Sequence, residues 1–421
     1  MTLIEDFRKE LRILQSGVTK SDLPLKDCFK KIQHKNKSLS FPKKIASSHV
    51  RAIRILRLKA RNLRKFISDK ELEHLLDDFL FDLKYGDESK FMGEVDKNVV
   101  CLFDSLRKMQ SQKHLFIVPI MGLSVVQDIA IGGAKIVNLT EQALGSLEST
   151  YSVKLGFKGE SLSEIVERMT KSNETTFYAI VVVDAPDDEK ALELALQKAD
   201  ACLNVLRLYY YNAQFALRDE CRKLILREIV DVNLDTKIHG LSLSSINVVA
   251  NIPIVDSNAL SQMKKAGFDM IDKLLSKEAD QMTKLQENIL TAIFWFGNAV
   301  KEEQRNMKFL KSIIALETLL IPDGGQGKAK LISKRYASLV YASASDEEKK
   351  EVYRTMRSLY EIRNSVIHSG EGYVYDDDLA QVMHWTRAAI LILLTYAEKF
   401  SDVTELCKKR FPVDDSLYVA L

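Results

Sequence analysis

The stretch EVYRTMRSLYEIRNSVIHSGEG, residues 351–372, decides how the C-terminal part of this chain is read. Val352, Met356, Leu359 and Val366 recur at the spacing of a buried helix face. Arg363 takes a slot in that stripe where a helical bundle would place a leucine. A guanidinium cannot shed its charge, and burying it unpaired is very costly. Three arrangements relieve the cost: a polar cavity beside it, an acid that meets it, or a route for the side chain out to water. Asn364 and His368 are four positions apart and share the adjacent face. Gly370 is expected to end the helix. That leaves His368 in the last turn, where the negative end of the helix favours a cation.

Working outward, the segments FDMIDKLLS, ENILTAIFWFGNAV, MKFLKSIIALETLLI, AKLISKRYASLVYA, residues 349–368 and DDLAQVMHWTRAAILILLTYAEKF all carry helical periodicity. The loops between them are short and hold Pro322, Gly324, Gly325 and Gly370, so residues 256–421 read as an all-α bundle. Residues 111–255 have a different texture. HLFIVPIMGL, QDIAIGGAKIVNL, TTFYAIVVVDAP and SINVVANIPIV are short, β-branched and bounded by Gly, Pro or Asn, as strands are. A long helix is expected from Asp187 to about Arg222, which makes this a mixed α/β domain. Residues 1–110 read as a helical region, from IEDFRKELRIL and ELEHLLDDFLFDL, the second run capped by Asp69 with Glu71 and Glu73 in its first turn. The expected class is therefore α+β, with the all-α bundle at the C-terminus.

Between those two N-terminal runs lies a basic stretch. Arg54, Arg57, Arg61, Arg64 and Lys65 fall on one helical face and are candidates for RNA phosphates, with an ordinary solvated face as the alternative. The net charge of +3 is too small to imply a nucleic-acid partner by itself. With 46% apolar and 28% charged residues, the chain can build a large core without disulfides or metals. Its five cysteines, Cys28, Cys101, Cys202, Cys221 and Cys407, are scattered and form no CxxC pair, which speaks against zinc ribbons and disulfide frameworks and suits a reducing cytosol. The first residues carry charges throughout and lack the apolar run of a signal peptide. The longest apolar run near the C-terminus, Ala388 to Leu394, is too short to span a bilayer. The expectation is a cytoplasmic protein with no membrane partner, no metal and no cofactor.

The grouping at 363–368 matters because RNA carries its own nucleophile, the 2′-hydroxyl, beside each phosphate. Cleavage needs a base for that proton, an acid for the leaving 5′ oxygen, and a fixed cation for the phosphoryl charge. A histidine titrates in the working range and serves the first two roles. An arginine fork fits the third. Arg363 and His368 are five apart, about 140° around an ideal helix, so one copy of the helix does not aim both at one atom. A two-fold dimer would gather two copies of each, one histidine as base and the other as acid.

RNSVIH resembles the Arg-x4-His form of the motif of HEPN ribonucleases, with Asn364 as the polar residue after the Arg. FWFGNAV, FLKSIIALETLL and LYEIRNSVIHSG together look like the Apea-like HEPN group, over about residues 285–400. The resemblance implies a HEPN-type bundle and a metal-independent endoribonuclease acting as a homodimer through this domain. Many such relatives serve prokaryotic antiviral defence or act as toxins. Arg363, His368 and Asn364 would be its catalytic residues. RNA would be the substrate, and residues 1–255 would sense a trigger, restrain the site or choose the RNA. Relatives that have lost catalysis serve as dimerisation or interaction modules, the rival expectation.

Glu317, set among apolar residues in IALETLL, needs a cation. Arg363 and Arg335 are both candidates, and the pairing would either orient Arg363 or be purely structural. PDGGQGKAK, residues 322–330, has the wrong spacing for a phosphate loop and a helix before it, so it reads as an inter-helix loop. GGAK at 132–135 reads as a hairpin turn. His384 reads as an ordinary core or surface residue, and the AAILILL row as bundle core or dimer interface. No paired-carboxylate glycosidase pattern, GxSxG elbow or HExxH is present, while Cys–His chemistry is left open.

Overall fold

The structure, a computed structural model, describes residues 3–18, 28–34, 37–59, 68–85, 112–151, 161–173, 176–213, 215–217, 222–225, 253–322, 327–368, 373–413 and 415–418. It is a mixed α+β protein whose C-terminal part is a succession of helices. Two compact units divide the chain: residues 1–114 with 183–194, and residues 115–182 with 195–421.

In the first unit, helix α1 (Leu3–Gly17) is followed by an antiparallel hairpin of β1 (Cys28–His34) and β2 (Lys37–Pro42), then helices α2 (Ala46–Lys59) and α3 (Asp69–Tyr85). Phe7, Leu11 and Leu14 of α1 pack with Leu39 and Phe41 of the hairpin, Ala52 and Ile53 of α2, and Leu76 and Leu80 of α3. The hairpin was not expected in a region read as helical; CFKKIQH and KSLSFP are too polar to stand out by alternation. The cap of α3 also differs. The Ser68 hydroxyl, not Asp69, accepts the Glu71 amide at 3.1 Å, because Asp69 already lies inside the helix.

The sheet of the second part runs in the order β5–β6–β7–β3–β8, from β3 (Gln112–Met121), β5 (Ile129–Ile131), β6 (Ala134–Asn138), β7 (Phe177–Ala185) and β8 (Ala216–Leu217), and β9 (Arg222–Ile225) also pairs with β3. The β5/β6, β6/β7 and β3/β8 pairs are antiparallel. A separate parallel pair joins β4 (Ser124–Val125) to β10 (Ile254–Val255). The GGAK turn forms as expected: Gly132 and Gly133 both take left-handed φ between the paired Ile131 and Ala134. Helices α4 (Glu141–Tyr151) and α5 (Leu162–Asn173) cover one face, burying Leu144, Leu147, Ile165 and Met169 against Leu115, Val137, Tyr178 and Ile180.

The long helix α6 (Asp188–Tyr209) ends well before Arg222. The Arg207 fork reaches the Phe215 carbonyl at 2.8 Å and the Ala213 amide bonds back to Tyr210, which turns the chain into β8 instead. The Cys202 thiol donates to the Ile131 carbonyl at 2.9 Å, so α6 is pinned to the sheet.

The bundle comprises α7 (Ser257–Lys265), α8 (Phe268–Leu275), α9 (Lys284–Val300), α10 (Arg305–Leu320), α11 (Lys328–Val340), α12 (Asp346–His368), α13 (Asp376–Leu394) and α14 (Val403–Arg410). Six of these match the expected segments. The loop read from PDGGQGKAK does connect two helices, although residues 323–326 lie outside the described ones. Ile289, Ile293 and Phe296 of α9, Phe309, Ile313 and Leu316 of α10, Tyr336 of α11, Met356 and Leu359 of α12, and Trp385, Ile390 and Leu393 of α13 form the core. Within FWFGNAV, Gly297 has a physical reason: a Cβ there would lie 2.2 Å from the Asn204 side chain, so α6 approaches α9 closely only because Gly stands there. Gly132 donates its amide to Asp272 at 2.8 Å, which ties the β5/β6 turn to α8. No helix among the described residues is long and apolar enough to cross a membrane.

Candidate active site

Helix α12 starts with a capping box: the Ser345 hydroxyl accepts the Glu348 amide, and the Glu348 carboxylate accepts the Ser345 amide at 2.8 Å. The helix then runs without interruption to His368. Val352, Tyr353, Met356, Leu359 and Tyr360 are buried, Val366 is half-buried, and the stripe read from the sequence faces the core.

Of the three ways to accommodate Arg363, the structure takes the acid. Its Nη2 lies 3.3 Å from Glu317 Oε1 on α10, and both side chains are less than one-fifth exposed. Arg335 is engaged elsewhere, with the Leu320 carbonyl and Thr404 Oγ1. The same Glu317 oxygen accepts the Tyr360 hydroxyl at 2.7 Å. The Arg363 guanidinium stands over the Tyr360 ring, 5.3 Å from its centre. Nη1 donates to Asn364 Oδ1 at 3.1 Å. Carboxylate, ring and amide thus fix the fork from three directions. Nε is buried without a hydrogen-bond partner among the described residues, a polar atom closed to solvent inside the cluster.

Burial, reinforced by the hydrogen bond to Glu317 and by its charge, raises the Tyr360 hydroxyl well above the ordinary phenol range, while Arg363 opposes the shift. Tyr360 therefore stays a donor at neutral pH. The sequence reading did not single out Tyr360 as a site residue, although its spacing carried the signal: it lies one turn before Asn364 and three residues before Arg363.

His368 is the final residue of α12 and is exposed, as is its neighbour Ile367. Gly370 lies outside the described residues. The structure brings Arg363, Asn364 and Glu317 together; His368 stands apart, about one and a half turns further on, as the last residue of the helix. Among the candidates for RNA contact, Arg54 is exposed on α2, Arg57 belongs to the same helix, and Arg61 and Arg64 lie outside the described residues. Arg51, on that helix, bonds Glu10 at 2.8 Å and the Ser48 hydroxyl.

His384 is exposed on α13, while the AAILILL row buries Ala389, Ile390, Leu393 and Leu394 and leaves Leu391 and Ile392 half-buried. Burial pushes the Cys202 thiol up to about 12, so it is no nucleophile at neutral pH. In the first unit, His49, Glu73 and Asp77 converge, a grouping that sequence spacing between two separate helices did not reveal. Compared with protein-family models, curated proteins and solved structures, the chain matches none.

Proposed function

We propose that this chain is a metal-independent endoribonuclease of HEPN type, acting as a homodimer on single-stranded RNA or the loops of structured RNA. The observation that supports it most is the Arg363 fork, fixed by Glu317, Tyr360 and Asn364 on the same helix that ends in the exposed His368. In this reading, one His368 takes the 2′-hydroxyl proton as the 2′ oxygen attacks phosphorus. The bond from phosphorus to the 5′ oxygen breaks, and the partner's His368 protonates that oxygen. Arg363 holds the charge on the non-bridging oxygens. Asn364 steadies Arg363 through its carbonyl and offers its amide hydrogens to the phosphate. The products carry 2′,3′-cyclic phosphate and 5′-hydroxyl ends. Ile367, 46% exposed beside His368, provides an apolar contact for a second copy. The HEPN-type arrangement of the bundle, a cytoplasmic setting, and a role in antiviral defence or as a toxin belong to the same proposal.

The test is mixed RNA incubated with the purified protein in EDTA. Cleavage that disappears in both Arg363→Ala and His368→Ala, with cyclic phosphate ends on the products, supports the nuclease. Equal cleavage by all three proteins assigns the activity to a contaminant.

One observation favours a second reading, a non-catalytic dimerisation or interaction module: Glu317 already neutralises Arg363. A wild-type protein that is dimeric, folded and inactive on every RNA tried supports that reading.

A further inference from the structure

We infer that His49, Glu73 and Asp77 form a binding site for a divalent transition metal, zinc by its donor set, in exchange with the ammonium of Lys30. Glu73 and Asp77 are four apart on α3 and point the same way. His49 comes from α2 and Lys30 from β1. One donor atom from each of the three ligands lies within 4.8 Å of the others. Around tetrahedral zinc, with bonds of about 2.0–2.2 Å, neighbouring ligand atoms stand roughly 3.3–3.5 Å apart. His49 Nε2 and Asp77 Oδ1, at 3.1 Å, are already near that spacing. For a metal to enter, the half-exposed Glu73 carboxylate would swing inward, the Lys30 ammonium would leave, and the proton shared by His49 Nε2 and Asp77 would be released.

The buried part of the site is prepared for a cation. His49 is almost fully buried, its ring packs perpendicular to that of Phe41 with the centres 5.6 Å apart, and its nitrogen is aimed at a carboxylate that is itself 6% exposed. Lys30 contacts both carboxylates, so the ammonium stands where the metal's charge would stand. An ammonium satisfies the carboxylates but offers an imidazole nitrogen no coordinate bond. A divalent ion bonds all three groups. Lys30, on a flexible stem, can move its head to water. The imidazole disfavours magnesium and calcium, which take oxygen ligands, and three protein ligands leave a position for water. The metal would tie α2 to α3. This site has no part in the chemistry proposed at Arg363.

The alternative is a closed ion-pair network in which Lys30 is the permanent counter-ion, and the two differ in what removing Lys30 does. The full chain, stripped with EDTA and freed of it, is dialysed against ZnCl2, and bound metal and melting temperature are measured. Wild type is expected to take up one zinc per chain and to melt higher with it. Lys30→Ala, with the competing cation gone, is expected to bind tighter, and His49→Gln and Asp77→Asn, each losing a ligand, to bind weaker by more than the roughly 10–100-fold that loss of an outer-shell partner costs. No zinc in either wild type or Lys30→Ala overturns the proposal. Equal zinc in wild type and His49→Gln also overturns it, since the ion then sits elsewhere. Should the variants unfold, cobalt(II) added to wild type decides. A visible absorption band that zinc abolishes supports the site, and its absence rejects it. Because RNA cleavage is assayed in EDTA, failure of the nuclease reading leaves this result untouched, and the reverse holds too.

Discussion

Two of the charged clusters among the described residues, one in each unit, solve the same problem with different cations. At Glu317, Tyr360 and Arg363 the cation is a guanidinium, planar, permanently charged and held by a carboxylate, a ring and an amide. At His49, Glu73 and Asp77 it is the ammonium of Lys30, a mobile point charge on a long stem. A guanidinium fixed on several sides presents its remaining donors in one geometry, which suits recognition of a phosphate. An ammonium that shares two carboxylates but forms no coordinate bond to an imidazole can be replaced by an ion that does. A buried ion pair is therefore characterised by the donors and acceptors it leaves over more than by its presence.

The sharpest way to break this contrast is at the Arg363 end. Arg363→Ala and His368→Ala are each expected to reduce RNA cleavage by about 10²–10⁴-fold, while circular dichroism and oligomeric state stay those of wild type for His368→Ala. A His368→Ala protein that cuts at the wild-type rate ends the nuclease reading.

A smaller effect is expected from Glu317→Ala. It leaves the Arg363 charge and the Tyr360 hydroxyl without their shared acceptor in a mostly buried place. A loss of about 2–4 kcal/mol in urea unfolding is expected. A change within experimental error would mean that Arg363 swings to water and was never held.

Tyr360→Phe removes one hydroxyl and keeps the ring beneath Arg363. The expected cost is about 1 kcal/mol at neutral pH. The pH dependence sharpens the point. The folded-state pKa of Tyr360 is raised, so its contribution is complete below the ordinary phenol range near 10 and drains away as pH climbs above it. Wild type should lose up to about 1.4 kcal/mol more per pH unit than Tyr360→Phe in that alkaline window. Parallel stability curves for the two proteins would place the hydroxyl in water.

The smallest effect concerns the basic helix of the first unit. If its exposed arginines touch RNA phosphates, Arg54→Ala should lower the salt dependence of RNA binding by about one counterion and weaken all sequences alike. An unchanged slope assigns Arg54 to an ordinary solvated surface, the state nearest to that of Arg51, which already bonds Glu10.

Much of the C-terminal part is legible in the sequence. The periodicity of ENILTAIFWFGNAV, MKFLKSIIALETLLI and residues 349–368 specifies helices whose apolar faces do face the core, because a helix repeat leaves little choice about which residues share a side. The charge of Arg363, set in an apolar stripe, likewise calls for a partner on chemical grounds alone. Less is legible where the signal is weak. The CFKKIQH hairpin alternates poorly, and α6 stops at Tyr209 because an arginine fork captures a carbonyl eight residues after it in the chain.

The amino-acid order alone settled the C-terminal helices from α8 to α13, their buried faces, the GGAK turn and the presence of an obligatory cation beside an amide on the helix that ends in a histidine. Those properties depend on neighbours within a few residues, which the chain itself supplies. Packing decided the rest: that Glu317 rather than another acid meets Arg363, that Tyr360 completes the cluster, that Gly297 yields to Asn204, and that a histidine on one helix converges with two carboxylates on another. Each of these joins atoms between 24 and about a hundred positions apart, and only the folded backbone sets the distance between such groups.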